Sequence, residues 1–231
     1  MHSSTQMTFH NLEGVLKAQE LGFSRVVLAR EVSISEIKKI KENSNIELEA
    51  FLHGALCISY SGQCLFSSMI GGRSGNRGKC AQACRLPYEL LRDSKFIEKG
   101  YLLSPKDVCS LPVLYELINS GIDSLKIEGR MKTPEYVATV TRIYRKYIDA
   151  YQEISSQDTT DLMQVFNRGG FSTGHLGNKP NTNFIYKEKS NNQGIFLGKV
   201  LSYASVIGHV KVKLEAPLAI RRYYFYFFRN W

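Results

Sequence analysis

Short β-branched runs, each followed by a stretch with helical apolar spacing, fill the first 150 residues and confine the chain to one broad architecture. Residues 25–29 carry Val26, Val27 and Leu28 in succession and read as a buried strand. Ser33 then caps a helix. Glu36, three residues on, completes a capping box, and Ile34, Ile37 and Ile40 share one face. Residues 47–52 read as the next strand and 101–103 as another, with a helix through Leu114, Leu117 and Ile118 behind it. Gly121 punctuates the chain before a strand at 124–127. The longest helix follows Thr133 and Pro134, with Val137, Val140, Ile143, Tyr144, Tyr147 and Ile148 at helical spacing. Repeated strand–helix units of this kind predict an α/β domain with a parallel sheet. About four units are legible, or five if residues 3–6 are a strand. A closed barrel takes eight in roughly 250 residues. The expected fold is therefore α/β: an open sheet, or a partial TIM-type (β/α) barrel followed by a small β domain.

The pattern changes near Asp158. Residues 166–174 form a glycine-rich link, and 194–220 alternate like the strands of a small β module. Three regions follow: 1–157 as the barrel part, 158–220 as linker and β module, and 221–231 as a basic aromatic tail without a period.

Composition closes off other classes. In 231 residues, 43% hydrophobic and 22% charged side chains exclude a disordered chain. No apolar run reaches the ~18 residues of a membrane span. The first six residues lack the apolar core of a signal peptide, so the expected location is cytoplasmic. Thirty Lys and Arg against 21 Asp and Glu leave a net charge of +9, which favours a polyanionic partner such as RNA.

Five cysteines in a reducing compartment do not make a disulfide framework. Cys57, Cys64, Cys80 and Cys84 crowd one segment rich in glycine, and Cys109 follows residues 104–108. Cys57 and Cys109 each come just after an expected strand, at the end where α/β sheets gather their site loops. Cys80 and Cys84 stand one helical turn apart. Converging thiolates suit zinc or an iron–sulfur cluster. The Cys57–Cys64 spacing is too wide for a zinc knuckle, and only Cys80–Cys84 fits one. Cys84 and Cys109 compete for the fourth position; the alternative for any one of them is a buried core thiol.

Other candidates flank this segment. His53 is either an acid/base or ligand near pH 7, or a packed loop histidine. Glu49 is a site carboxylate or part of a solvated strand face. Lys126, Glu128 and Arg130 alternate along one strand, to hold an anionic ligand or to form a salt-bridge ladder. Arg73, Arg77, Lys79 and Arg85 make a phosphate-attracting loop or a solvated face. A peptidase would need an activated nucleophile or an open metal site. His-Glu-x-x-His and Gly-x-Ser-x-Gly are both absent, which leaves a Cys57–His53 dyad as the conceivable arrangement.

Residues 4–6, 28–31, 49–64, 77–85, 104–107 and 122–130 resemble the U32 family, historically labelled collagenase-like peptidases, and the likeness covers most of 3–216. The resemblance implies a TIM-type barrel with a small β domain behind it, further βα units before Met1, and a departure from family pattern after about Leu218. It implies either peptidase action on a protein or oxygen-independent hydroxylation of tRNA uridine, ribosomal RNA or a quinone precursor. For hydroxylation it implies a cysteine-bound [4Fe–4S] cluster and prephenate as hydroxyl source. By the family's spacing the ligands would be Cys57, Cys64, Cys80 and Cys109, with Cys84 as neighbour or alternate. The favoured expectation is an iron–sulfur hydroxylase of an RNA base, with Glu49, His53, Lys126, Glu128 and Arg130 in catalytic roles. A non-catalytic zinc-stabilised RNA-binding module is the third reading.

Overall fold

A computed structural model describes residues 1–177 and 184–218, so the aromatic tail expected at 221–231 lies outside the described residues. The chain divides into two compact units, Met1–Gln193 and Gly194–Trp231. Residues 158–193 thus belong with the first unit.

The first unit runs α1 (Leu12–Glu20), β1 (Arg25–Val27), α2 (Ile34–Glu42), β2 (Glu47–Ala55), α3 (Phe66–Gly71), β3 (Tyr88–Arg92), β4 (Lys95–Gly100), β5 (Asp107–Cys109), α4 (Leu114–Asn119), β6 (Ser124–Ile127), α5 (Pro134–Asp149), α6 (Ser156–Val165) and β7 (Phe171–Ser172). Local chemistry explains the helix starts. Ser33 accepts from the Glu36 amide at 3.3 Å while its own amide donates to Glu36 Oε2 at 2.8 Å, closing the capping box of α2. Thr133 caps α5 and Pro134 takes the first-turn position. The buried face of α5 is Tyr136, Val140, Ile143, Tyr144 and Tyr147. These side chains join Val26, Leu28, Ile37, Ile40, Leu48, Leu52, Leu114 and Leu117 in one core.

β2 is the spine. It pairs in parallel with β1 (Val26 opposite Leu48) and with β6 (Ala50 opposite Leu125). Its far end pairs antiparallel with β5, His53 opposite Cys109, and β5 in turn pairs in parallel with β7. Alternation of buried and open residues holds along the first part of β2 and then gives way to Leu52, His53 and Gly54, all buried. That run marks where the sheet is covered on both faces.

This arrangement is α/β, with β1, β2 and β6 parallel and adjacent in that order and β5 added at the far end of β2. Here β6 lies directly against β2, and β5 runs the opposite way. Residues 56–106 carry the chain out through the cysteine loops and the β3–β4 hairpin, and it returns reversed. Three local expectations are corrected. Residues 101–103 form a turn closed by the Ser104 amide on Tyr101 O at 3.0 Å, and the strand lies later, at β5. Residues 5–7 form a 3-10 turn capped by Ser4 instead of a strand. Cys84 sits in a 3-10 turn, Ala83–Arg85, and not one α-turn beyond Cys80.

The second unit contains the antiparallel pair β8 (Gly198–Ala204) and β9 (His209–Leu214), as the alternating pattern anticipates. Among the described residues no helix is long and apolar enough to cross a membrane.

Gly54 fixes the geometry at the end of β2. Its φ is +121°, and a Cβ there would lie 2.7 Å from Glu128 O, while the Glu128 amide donates to His53 O at 2.8 Å. Gly54→Ala is expected to destabilise the first unit by about 2 kcal/mol or more. The measurement is a urea midpoint, which should fall with the slope unchanged.

Candidate functional site

The loops that leave β2 are braced by residues far away in sequence. Thr8 Oγ1 donates to Ser61 O at 2.7 Å, and the Ser61 amide and hydroxyl both reach Glu31 Oε1, at 3.1 and 3.3 Å. The Arg30 amide donates to Ser61 Oγ at 3.1 Å. Gly62 packs so close to the 5–7 turn that a Cβ would lie 2.3 Å from Gln6 O. Asn76 ties the next loop down by donating to Gly62 O at 2.6 Å. Arg85 is 8% exposed and staples the end of the segment back under its start. Its guanidinium donates to Leu56 O at 2.9 Å, to Ser104 Oγ at 2.8 Å and to Pro105 O.

Four of the five thiols sit on these braced loops. Burial pushes the Cys57 thiol up; Arg30 and Arg85 pull it down, and Cys80 and Cys64 push it up further. Burial also raises Cys84, against Arg85 and with Cys57, Cys80 and Cys64 adding to the rise. Cys57, Cys64, Cys80 and Cys84 therefore lie within electrostatic reach of one another. Cys57 and Cys80 are exposed and the other two half-buried. Cys109 stands apart: it is 4% exposed, belongs to the core, and its sulfur meets the Tyr144 hydroxyl at 3.5 Å. The side chain of a β5 residue opposite His53 points into the sheet's covered face, away from the loops. Among the described residues no three His, Cys, Asp or Glu side chains are drawn together as ligands of a metal ion.

His53 is buried among the rings of Tyr136, Tyr144 and Phe171. Burial, with Lys132 nearby, drives its pKa down to about 3, so it is neutral at pH 7. Nδ1 lies 3.2 Å from the Tyr144 hydroxyl and Nε2 is buried without a partner. No hydrogen bond joins His53 to Cys57, and the Cys–His dyad is not formed. The imidazole's cost is a pH slope. Between pH 3 and 6.5 the unfolded chain takes a proton on this residue that the folded chain refuses, so stability falls as pH falls through that window, by at most about 1.4 kcal/mol per unit. His53→Gln is expected to flatten this acid slope, read from denaturant midpoints between pH 4 and 7.

Behind the cysteines lies a charged cluster that the sequence reading passed over. Asp107 is 1% exposed and its Oδ1 accepts from Arg168 Nη1 at 2.7 Å, while Oδ2 has no partner. Lys132 presses its ammonium on the Phe166 ring, 2.7 Å from the centroid. Burial first, then Arg168 and Arg85, lower Lys132 to about 7. Burial raises Asp107 against the pull of Arg168, Lys132 and Arg85. The sequence signal is Asp107, within the matched stretch 104–107; Arg168 reaches it from just before β7, which pairs with β5, and Lys132 comes from the turn before α5.

The remaining candidates lie elsewhere. Glu49 accepts from Ser124 Oγ at 2.9 Å and faces Arg25 at 3.6 Å and Lys126 at 3.5 Å, a ladder across β1, β2 and β6. Glu128 Oε1 accepts from the Arg130 amide at 2.9 Å, capping its own turn, and Arg130 is exposed. Arg73, Arg77 and Lys79 are exposed on the loop that Asn76 anchors, whereas Arg85 is an internal staple and not a surface cation.

The fold and this braced segment define an α/β protein with four cysteines on the loops that leave a strand end. The chain belongs to peptidase family U32, whose sequence model matches residues 1–185. It is similar to tRNA hydroxylation protein P1 of Bacillus subtilis, 46% identical over 65% of this chain and 38% of that protein. A 23S rRNA 5-hydroxycytidine synthase of Escherichia coli is 37% identical over 95% of this chain and 35% of its own length. A collagenase of Porphyromonas gingivalis is 34% identical over 94% and 57%. The chain thus spans between about a third and somewhat over half of these relatives. No solved structure matches it.

Proposed function

We propose that this chain carries the site of an enzyme that hydroxylates a base of tRNA or ribosomal RNA. The placement of Cys57, Cys64, Cys80 and Cys84 on braced loops beside exposed Arg73, Arg77 and Lys79 carries the reading. The donor set is all thiol, which suits zinc or an iron–sulfur cluster, and the Cys57–Cys64 spacing, too wide for a zinc knuckle, with the glycine amides of these loops favours the cluster. Cys57, Cys64, Cys80 and Cys84 would hold the cluster, and when bound it would supply redox chemistry at iron. Cys84 replaces Cys109 in this assignment because Cys109 is turned into the core.

Replacing a base C–H by C–OH takes an oxygen atom and removes two electrons. A separate two-electron acceptor would have to take the electrons, and the family resemblance points to prephenate as the hydroxyl source. Lys132 and Arg168 supply positive charge for such a carboxylate, and the low pKa of Lys132 lets it release or take a proton near pH 7. The relatives named as hydroxylation proteins support RNA as substrate. The collagenase relative keeps a peptidase in view, but His53 has no Cys57 to activate. Nucleoside mass spectrometry of RNA from cells lacking the gene is the test. Loss of a hydroxylated uridine or cytidine, restored by the wild-type gene, is expected. An unchanged nucleoside profile together with gelatin cleavage by the iron-free protein would return the chain to the peptidases.

A further inference from the structure

A cleft of about 680 Å³ opens beside Cys57, bordered by His10, Glu31, Tyr60, Gln63, His175 and Phe184. Its size is that of a site for one nucleotide-sized ligand. Three features of its lining select a flat, polar-edged ring. Tyr60 is 68% exposed, a large phenol ring that neither packs nor hydrogen-bonds in the core. Phe184 is a second aromatic surface, held by its contact with His175 at 5.8 Å between centroids. Glu31 Oε2 is buried without a hydrogen-bond partner although Oε1 accepts twice from Ser61. That leaves one acceptor waiting for an N–H donor, and buried acceptors are rarely left so.

The backbone of a nucleic acid would also find its charge here. Gln63 follows Gly62, whose carbonyl is the anchor of Asn76, so the exposed loop with Arg73, Arg77 and Lys79 begins at the cleft's own edge. An aromatic platform flanked by cations is the usual way to seize an unstacked base from a single strand. Glu31 and Glu36, both on the lining, would repel a phosphate, so the base and not the backbone enters.

We infer that this cleft receives one unstacked base of a single-stranded RNA, stacked on Tyr60 with an N–H edge turned to Glu31, while Arg73, Arg77 and Lys79 take the flanking phosphates. The inference rests on the RNA reading above and adds where the base lies, next to Cys57. It assigns Glu31 the orienting of the base through an N–H on its edge, which uracil presents at N3 and cytosine at N4.

The test compares a short single-stranded RNA with the same strand carrying one abasic site, by fluorescence anisotropy on the intact chain. Wild type is expected to bind the intact strand at least about fivefold more tightly. Tyr60→Ala should remove that difference and Tyr60→Trp retain it, while Arg77→Ala weakens both strands equally and steepens neither. Because Tyr60 is exposed, its replacement leaves the fold intact, checked by an unchanged urea midpoint. Equal binding of both strands by wild type, with salt-sensitive affinity preserved, overturns the cleft while leaving RNA as partner. No binding of either strand overturns the RNA reading and the cleft with it.

Discussion

Cys84→Ala, reconstituted anaerobically with iron and sulfide, is expected to lose most of its iron and its broad visible absorbance. Cys109→Ala treated in the same way is expected to keep both. The family's spacing favours Cys109 with Cys84 as alternate, and the surroundings of the two thiols favour the reverse. Cys84 lies beside the buried guanidinium of Arg85 and feels the charges of Cys57, Cys80 and Cys64. Arg85 favours its thiolate, the form that binds metal. Cys109 has the Tyr144 hydroxyl as its polar neighbour and is walled by core side chains. Burial raises both thiols, opposed at Cys84 by Arg85 and at Cys109 by the Tyr144 hydroxyl, so what separates them is that Cys84 is half-buried among the loops and Cys109 is enclosed in the core. Removing its sulfur trims a core side chain and is expected to cost stability of about 1 kcal/mol rather than iron. Iron content per chain, with the urea midpoint of each variant beside it, separates the effects. Full iron in Cys84→Ala together with iron loss in Cys109→Ala would mean that β5 turns outward when the cluster forms.

What was legible in the sequence was whatever depends on neighbours in the chain. The capping box at Ser33 and Glu36, the Pro134 start of α5 and the burial of Val140, Ile143, Tyr144 and Tyr147 are local patterns, and the structure has them where the spacing put them. Val137, by contrast, is exposed, and Tyr136 takes the buried place instead. The braces were half legible. Ser4–Gln6 and Arg30–Glu31 stood among the matched stretches, but their task of holding Ser61 and Gly62 depends on contacts across dozens of residues. The strand order was not legible. β5 has three residues, too few for a period, and its reversed pairing with β2 is set by where residues 56–106 return. His53 shows the same limit in chemistry: an imidazole expected to titrate near pH 7 is made neutral by Tyr136, Tyr144 and Phe171, which arrive from α5 and β7.

Arg168→Met is expected to destabilise the first unit by about 3–5 kcal/mol at pH 7, because it leaves the buried Asp107 without its partner, to be held charged at a cost or to take up a proton that the unfolded chain releases. The pair is close, 2.7 Å, and both side chains are under a tenth exposed. Arg168 also donates through Nε to Ser190 O at 2.9 Å and stacks on Phe166, so part of the loss is packing and backbone anchoring. pH distinguishes the two parts. In wild type, burial raises Asp107 and Arg168 is the strongest opposing influence. Without Arg168 the folded-state pKa climbs further above the unfolded value. The folded chain then holds a proton that the unfolded chain has released, so stability is greatest below the unfolded pKa and is lost as pH rises through the folded one. The deficit against wild type should be smallest near pH 4 and grow toward neutrality in urea titrations. A deficit equal at every pH would assign the whole loss to packing. The same variant reports on Lys132, which Arg168 helps to hold near 7. With that repulsion gone its pKa rises, and acylation of Lys132 at pH 8, followed by peptide mass spectrometry, should slow severalfold. Stability and amine reactivity would then move together, as they must if Asp107, Arg168 and Lys132 share one buried field.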